Sequence, residues 1–235
     1  MTALRADVRA LLAPTAEALR PVLNRVVFSG LPTCRGLLDV TTPRVRMVES
    51  RTLQVDLHAT TSLDRLGGEL TANGVTRQSQ RDGSETWSAD AHTRLCAWGP
   101  PSMSGASDES AVREYAVLLT RSESVSDSLA IRVTTLPVQL ALWCVMHTRS
   151  KRAAVDSPWI EDLIAVVVGR YDCIAELRAL PSELRAVVAD GVGAFAASEA
   201  CRWVIGRIVV EARTTPQLID LVLKRLESAA QLPRS

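Results

Sequence analysis

The residues able to do chemistry are few and lie far apart in the chain. Three histidines (His58, His92, His147) and five cysteines (Cys34, Cys96, Cys144, Cys173, Cys201) are scattered over 235 residues, with no CxxC and no paired spacing. A zinc centre needs convergent ligands, and this pattern argues against one. Unpaired thiols in odd number read as reduced, buried cysteines of a cytoplasm. Ser29 precedes Gly30 after an apolar run, but the Gly-x-Ser-x-Gly elbow of serine hydrolases is missing. Asp56 stands on an alternating segment and, by itself, reads as a solvated or capped strand acid. Glu161 and Asp162 fall near a helix start, where the helix dipole favours acids whatever their function. His58 and His147 have no partner in sequence and read as ordinary.

The elements that must position these residues change character along the chain. Residues 3 to 20 carry Leu4, Val8, Leu11, Leu12 and Leu19 at near-helical spacing, with Pro14 breaking or kinking the run. Val22 to Phe28 reads as a buried strand ending at Ser29-Gly30, followed by a short helix from Leu31 to Val40. Thr52 to His58 alternates with period two and reads as a second strand. Residues 62 to 73 form a helix capped by Ser62 and stopped by Asn73-Gly74. Arg81-Asp82-Gly83-Ser84 is a hairpin turn, and Thr93 to Trp98 is a further strand. Residues 102 to 112 read as a small-residue loop, and Tyr115 to Thr120 and Leu129 to Val133 as the last strands. From Pro137 the pattern becomes helical, with helices opening at Pro137, Ser157-Pro158, Asp172 and Pro181, and a tail interrupted near Pro216. The expected class is α/β (α+β): a mixed sheet within residues 1–135 and a helical region over 136–235 packed on it.

Composition bounds the rest. With 47% hydrophobic and 23% charged residues the chain is globular, and with only two Phe and two Tyr its core must come from Leu, Val, Ile and Ala. A formal net charge of +1 gives no strong field toward nucleic acid or membrane. Lys151 and Lys224 are the only lysines; the excess of arginine reads as genomic base composition. Phosphate gripping by arginine forks would need clusters, and only short ones such as Arg149, Lys151 and Arg152 occur. Charges interrupt the N-terminal stretch, and no run approaches ~20 apolar residues, so a soluble, cytoplasmic protein without a membrane partner is expected.

The order of strand, Ser-Gly turn, helix, acid-bearing strand, helix, hairpin, strand and then helices resembles the nucleotidyltransferase superfamily. The branch it resembles is that of the AbiEii-type abortive-infection toxins of bacterial toxin–antitoxin systems and related minimal nucleotidyltransferases. Members carry Gly-Gly or Gly-Ser after the first strand, Asp-x-Asp on the second, and a third Asp on a later strand. Here VVFSGLP puts Ser29-Gly30 at the first position, and Arg51-Thr52-Leu53-Gln54-Val55-Asp56 has Gln54 for the first acid and Asp56 for the second. Arg94-Leu95-Cys96-Ala97-Trp98 puts Cys96 where the third acid is expected. In the helical segment Trp159 stands for the first Asp of Ser-x-Asp-x-x-Asp and Asp162 keeps the second. Trp143 occupies the place of the helix lysine. The resemblance spans residues 22 to 198.

It implies a nucleotide-binding turn at Ser29 and Gly30, whose backbone N–H groups face phosphate, and a metal site of which Asp56 is the vestige. Two divalent ions clamp the attacking and leaving oxygens in such transfers, and hard cations need several oxygen ligands. Gln54 deletes a charge, and Cys96 offers a soft, mismatched ligand. The implied function is that of a pseudoenzyme that binds a nucleotide or a protein partner. One alternative is an active, Mg2+-dependent enzyme centred on Asp56, with Glu49, Asp90 or Asp39 as substitute ligands. The other is a structural module that forms a homo-oligomer through its C-terminal helices, where Ile205, Ile208, Val209 and Ala212, then Leu218, Leu221, Val222 and Leu226, recur at helical spacing.

Overall fold

The computed structural model describes residues 4–39, 53–81, 84–90, 92–100, 108–150, 157–210 and 216–234. The chain forms a mixed α/β structure of two compact units, Met1–Leu37 with Val48–Thr135, and Leu38–Met47 with Leu136–Ser235.

The first unit opens with α1 (Ala6–Ala18), a 3-10 turn (Arg20–Arg25), β1 (Val26–Ser29) and α2 (Gly30–Arg35). Then follow β2 (Leu53–Ala59), α3 (Leu63–Ala72), the hairpin of β3 (Thr76–Arg81) and β4 (Ser84–Ser88), and β5 (Thr93–Trp98). It closes with α4 (Asp108–Leu118), β6 (Thr120–Ser126) and β7 (Leu129–Thr134). The strands make one seven-stranded sheet in the order β3-β4-β5-β2-β1-β7-β6. Its middle is mixed: β2 runs parallel to β5 and antiparallel to β1, which runs parallel to β7.

Period-two alternation gives the sheet two unlike faces. Phe28, Val55, Leu57, Leu95, Ala97 and Trp87 point to one side and are fully buried. Trp87 packs so closely on α3 that a Cβ on Gly67 would lie 2.9 Å from its ring. The helix itself starts where Ser62 Oγ accepts the Arg65 N–H at 3.4 Å, and the chain leaves it through Gly74 at φ +81°. Ser29, Gln54, Asp56 and Cys96 take the opposite side.

Several expectations from sequence change. The first strand starts at Val26, because Pro21 and its neighbours wind a 3-10 turn instead. The helix α1 continues through Pro14. Tyr115–Leu118, expected as strand, belongs to α4, as do residues 108–112, expected as loop; the missing strand is β6, from Thr120. Val112 and Ala116 are buried one turn apart, and Glu109 pairs with Arg113 at i,i+4, so tertiary burial and a helix-surface ion pair override β-favouring side chains.

The second unit is helical: α5 (Leu136–Ser150), α6 (Pro158–Gly169), α7 (Cys173–Arg178), α8 (Ser182–Ala196), α9 (Ala200–Val210) and α10 (Pro216–Ala230). Every residue from Leu136 to Cys144 is buried, so α5 is its central helix. Asp39 joins this unit: its carboxylate meets Arg170 at 2.6 Å and accepts the Tyr171 N–H at 2.9 Å. Arg225 donates to the Val167 carbonyl at 2.6 Å and so closes the end of α6. Ser157 precedes α6, but its side chain makes no cap; it meets His147 Nδ1 at 3.0 Å.

Close packing of α5 on α8 depends on Gly191, where a Cβ would lie 2.6 Å from Cys144 Cβ. Gly191→Ala is expected to lower stability by about 1–3 kcal/mol through overpacking, read as a shifted midpoint in urea unfolding. Of the C-terminal stripe, Ile205, Val222 and Leu226 are buried, whereas Leu221 is exposed. Ile208, Val209 and Ala212 lie outside the described side chains. Among the described residues no helix is long and apolar enough to cross a membrane.

Candidate functional site

The register of the sheet gathers the chemistry-bearing residues of the first unit into one row. Ser29 is the cross-strand partner of Asp56, Asp56 of Cys96, and Cys96 of Thr86. Directly opposed residues share a face, so all four side chains stand on the polar side of the sheet. Two residues further along each strand, Gln54 pairs with Arg94 at one flank and His58 with Trp98 at the other.

Asp56 is the centre of this row. Gln54 donates its amide Nε2–H to Asp56 Oδ1 at 3.1 Å, and Ser29 Oγ donates to the Asp56 carbonyl at 3.3 Å. On the side of β1 the chain turns into α2 at Gly30, with φ +82°, a left-handed conformation that suits glycine. A Cβ at that point would lie 2.5 Å from Asp56 Oδ2. The turn expected to face phosphate therefore lies against the aspartate side chain. Although Asp56 as a residue is half-buried, its carboxylate is crowded, and desolvation raises its pKa; the Gln54 bond and nearby Arg113 act against that rise.

Two further groups belong to the same face: Arg113, which had not been singled out from sequence, and His58, which had been read as ordinary. Arg113 of α4 is buried, stacks 3.8 Å from the centroid of the Trp98 ring, and donates Nε–H to Glu109 Oε1 at 2.8 Å. His58, one pair along from Asp56, is buried; loss of hydration and the charge of Arg113 push its pKa down to about 3. The i,i+4 spacing of Glu109 and Arg113 was the signal in sequence, but it was obscured by reading this segment as loop and strand. Cys96 is pushed up to about 12 by burial and by Asp56, with Arg113 and Arg94 opposing, so it stays a thiol.

The donor set can be tested against the metal site that the sequence resemblance implies. One carboxylate, an amide turned with its N–H toward that carboxylate, and a protonated thiol do not make a hard-cation cage. A guanidinium on the same face adds a positive charge where a divalent ion would need negative ones. The residues present do not fit two magnesium ions. Among the described residues no group of three His, Cys, Asp or Glu side chains could hold a metal.

Two of the three substitute ligands considered from sequence, Asp90 and Asp39, are engaged elsewhere. Asp90 lies in the turn between β4 and β5 and accepts the His92 N–H at 2.6 Å. Asp39 is paired with Arg170 in the second unit, and Glu49 lies outside the described residues. Asp162 sits half-buried on α6, and Trp143 is buried in α5; both belong to the second unit, whereas the row belongs to the first.

No known protein-family model matches this chain. No curated protein matches its sequence. Among solved structures, it is similar to JHP933 from Helicobacter pylori, with a TM-score of 0.52 at 9% identity over 97% of this chain and 92% of that one. At that identity the likeness shows a shared mixed α/β fold alone.

Proposed function

We propose that this chain is a nucleotidyltransferase-like protein that has lost nucleotide transfer and binds a nucleoside triphosphate on the polar face of its sheet. The observation that carries the reading is the row of Ser29, Asp56 and Cys96 across three adjacent strands. These are the positions at which the sequence resemblance implies the turn, the second acid and the third acid. One carboxylate is left of three, so the charge balance for two cations beside a triphosphate is missing. None of the five cysteines forms a disulfide, which supports a reducing, cytoplasmic setting.

The test is incubation with each of the four radiolabelled ribonucleoside triphosphates, with magnesium or manganese and RNA or protein acceptors. Equilibrium binding is measured in parallel. Binding without labelled product is the expected outcome. A second reading, association with a protein partner or a second copy through α9 and α10, is favoured by Trp203 and Leu221, which are 57% and 42% exposed. Light scattering across a concentration series decides whether a second copy is the partner.

A further inference from the structure

We infer that this face holds the phosphates of the nucleotide through Arg113 and Arg94 without a divalent cation. The inference rests on the binding reading above and specifies its chemistry. In a cluster of three carboxylates, phosphate is repelled unless metal ions intervene. On this face Asp56 and Glu109 stand beside two guanidinium groups, which makes a formally neutral site that needs no bridging cation.

The geometry suits anion binding by arginine. Trp98 and Glu109 fix the Arg113 guanidinium over the sheet, so little side-chain freedom is lost when a ligand arrives. Arg94 is exposed, is the cross-strand partner of Gln54, and stands two residues from Cys96 on the same side of β5. The two arginines thus flank the Asp56–Cys96 pair, and both act electrostatically on Cys96. The exposed Arg94 guanidinium can meet phosphate oxygens bidentately, and Arg113, whose Nε and Nη2 both donate to Glu109, adds its positive charge, whereas the Gly30 turn lies against Asp56.

The experiment is calorimetric titration of the whole chain with ATP and, separately, with inorganic tripolyphosphate, once in EDTA and once in magnesium. Both ligands are expected to bind in EDTA, with ATP affinity changing by no more than about threefold on adding magnesium, and with weakening at high salt. Arg94→Gln and Arg113→Gln should each weaken both ligands about tenfold, the loss of one charge-assisted pair. Asp56→Asn should tighten them, because it removes a negative charge near the phosphates. Arg94 is exposed, so its variant decides the matter even where Arg113→Gln fails to fold. ATP binding that requires magnesium and is lost in Asp56→Asn overturns the inference and leaves the binding reading standing. So does ATP binding in EDTA without tripolyphosphate binding and without an effect of Arg94→Gln. No ATP binding in either buffer removes both.

Discussion

Acidification is expected to destabilise the first unit from about pH 6.5 downward, and His58 is the group responsible. Its folded pKa is pushed to about 3, while an unfolded histidine keeps an ordinary value of about 6.5. A depressed histidine means that the unfolded chain binds the proton first. The native state is therefore at no disadvantage above pH 6.5 and loses stability as pH falls toward 3. The slope approaches about 1.4 kcal/mol per pH unit, on the order of 4–5 kcal/mol across the window. The cause is geometric: His58 is buried on the face that carries Arg113, so an imidazolium would lose hydration and meet a like charge. Asp56 has the opposite sign. Its folded pKa is raised, so its contribution to stability grows as pH falls through that pKa toward the ordinary carboxylate value. That contribution is common to wild type and His58→Leu and cancels in their difference. Urea unfolding at a series of pH values should show the wild type losing ground against the variant below pH 6.5. Parallel curves for the two proteins would refute the assignment.

Gly30→Ala should cost about 2–5 kcal/mol, combining left-handed backbone strain with a steric collision. The residue stands at φ +82°, and the new methyl would meet Asp56 Oδ2 at 2.5 Å. The two causes separate in the double variant Gly30→Ala/Asp56→Ala. Removing the carboxylate relieves the collision and leaves the strain, so part of the loss should return. A double variant no more stable than the sum of the singles would place the whole cost in the backbone.

How far the site was legible in sequence depended on periodicity. The alternation of β2 marked Asp56 as a strand residue, the resemblance matched Cys96 to a later strand, and the register places the two side by side. The Ser-Gly turn and the caps at Ser62 and Gly74 were legible because each reflects a local rule of backbone geometry. Arg113 was not. Its role comes from a helix laid over the sheet, and the Tyr115-Ala116-Val117-Leu118 stretch carries β-favouring residues that α4 overrides. His58 was passed over for a related reason: whether a histidine is neutral depends on burial and on charges brought from distant segments. The pairing of His147 with Ser157 likewise bridges two helices, and no spacing rule predicts it.

On the proposed reading the row around Asp56 binds a nucleotide without transferring it, and a transfer assay tests this most directly. Each lost charge-stabilising group typically costs ~3 kcal/mol in the transition state, about a hundredfold in rate, though such losses do not simply multiply. Purified protein is incubated with labelled ATP, GTP, CTP and UTP, magnesium or manganese, and RNA and protein acceptors, beside an Asp56→Ala control. No labelled product above that control is expected with any of the four. Product formed by the wild type and abolished in Asp56→Ala would contradict it and identify a metal-dependent enzyme built on this single carboxylate.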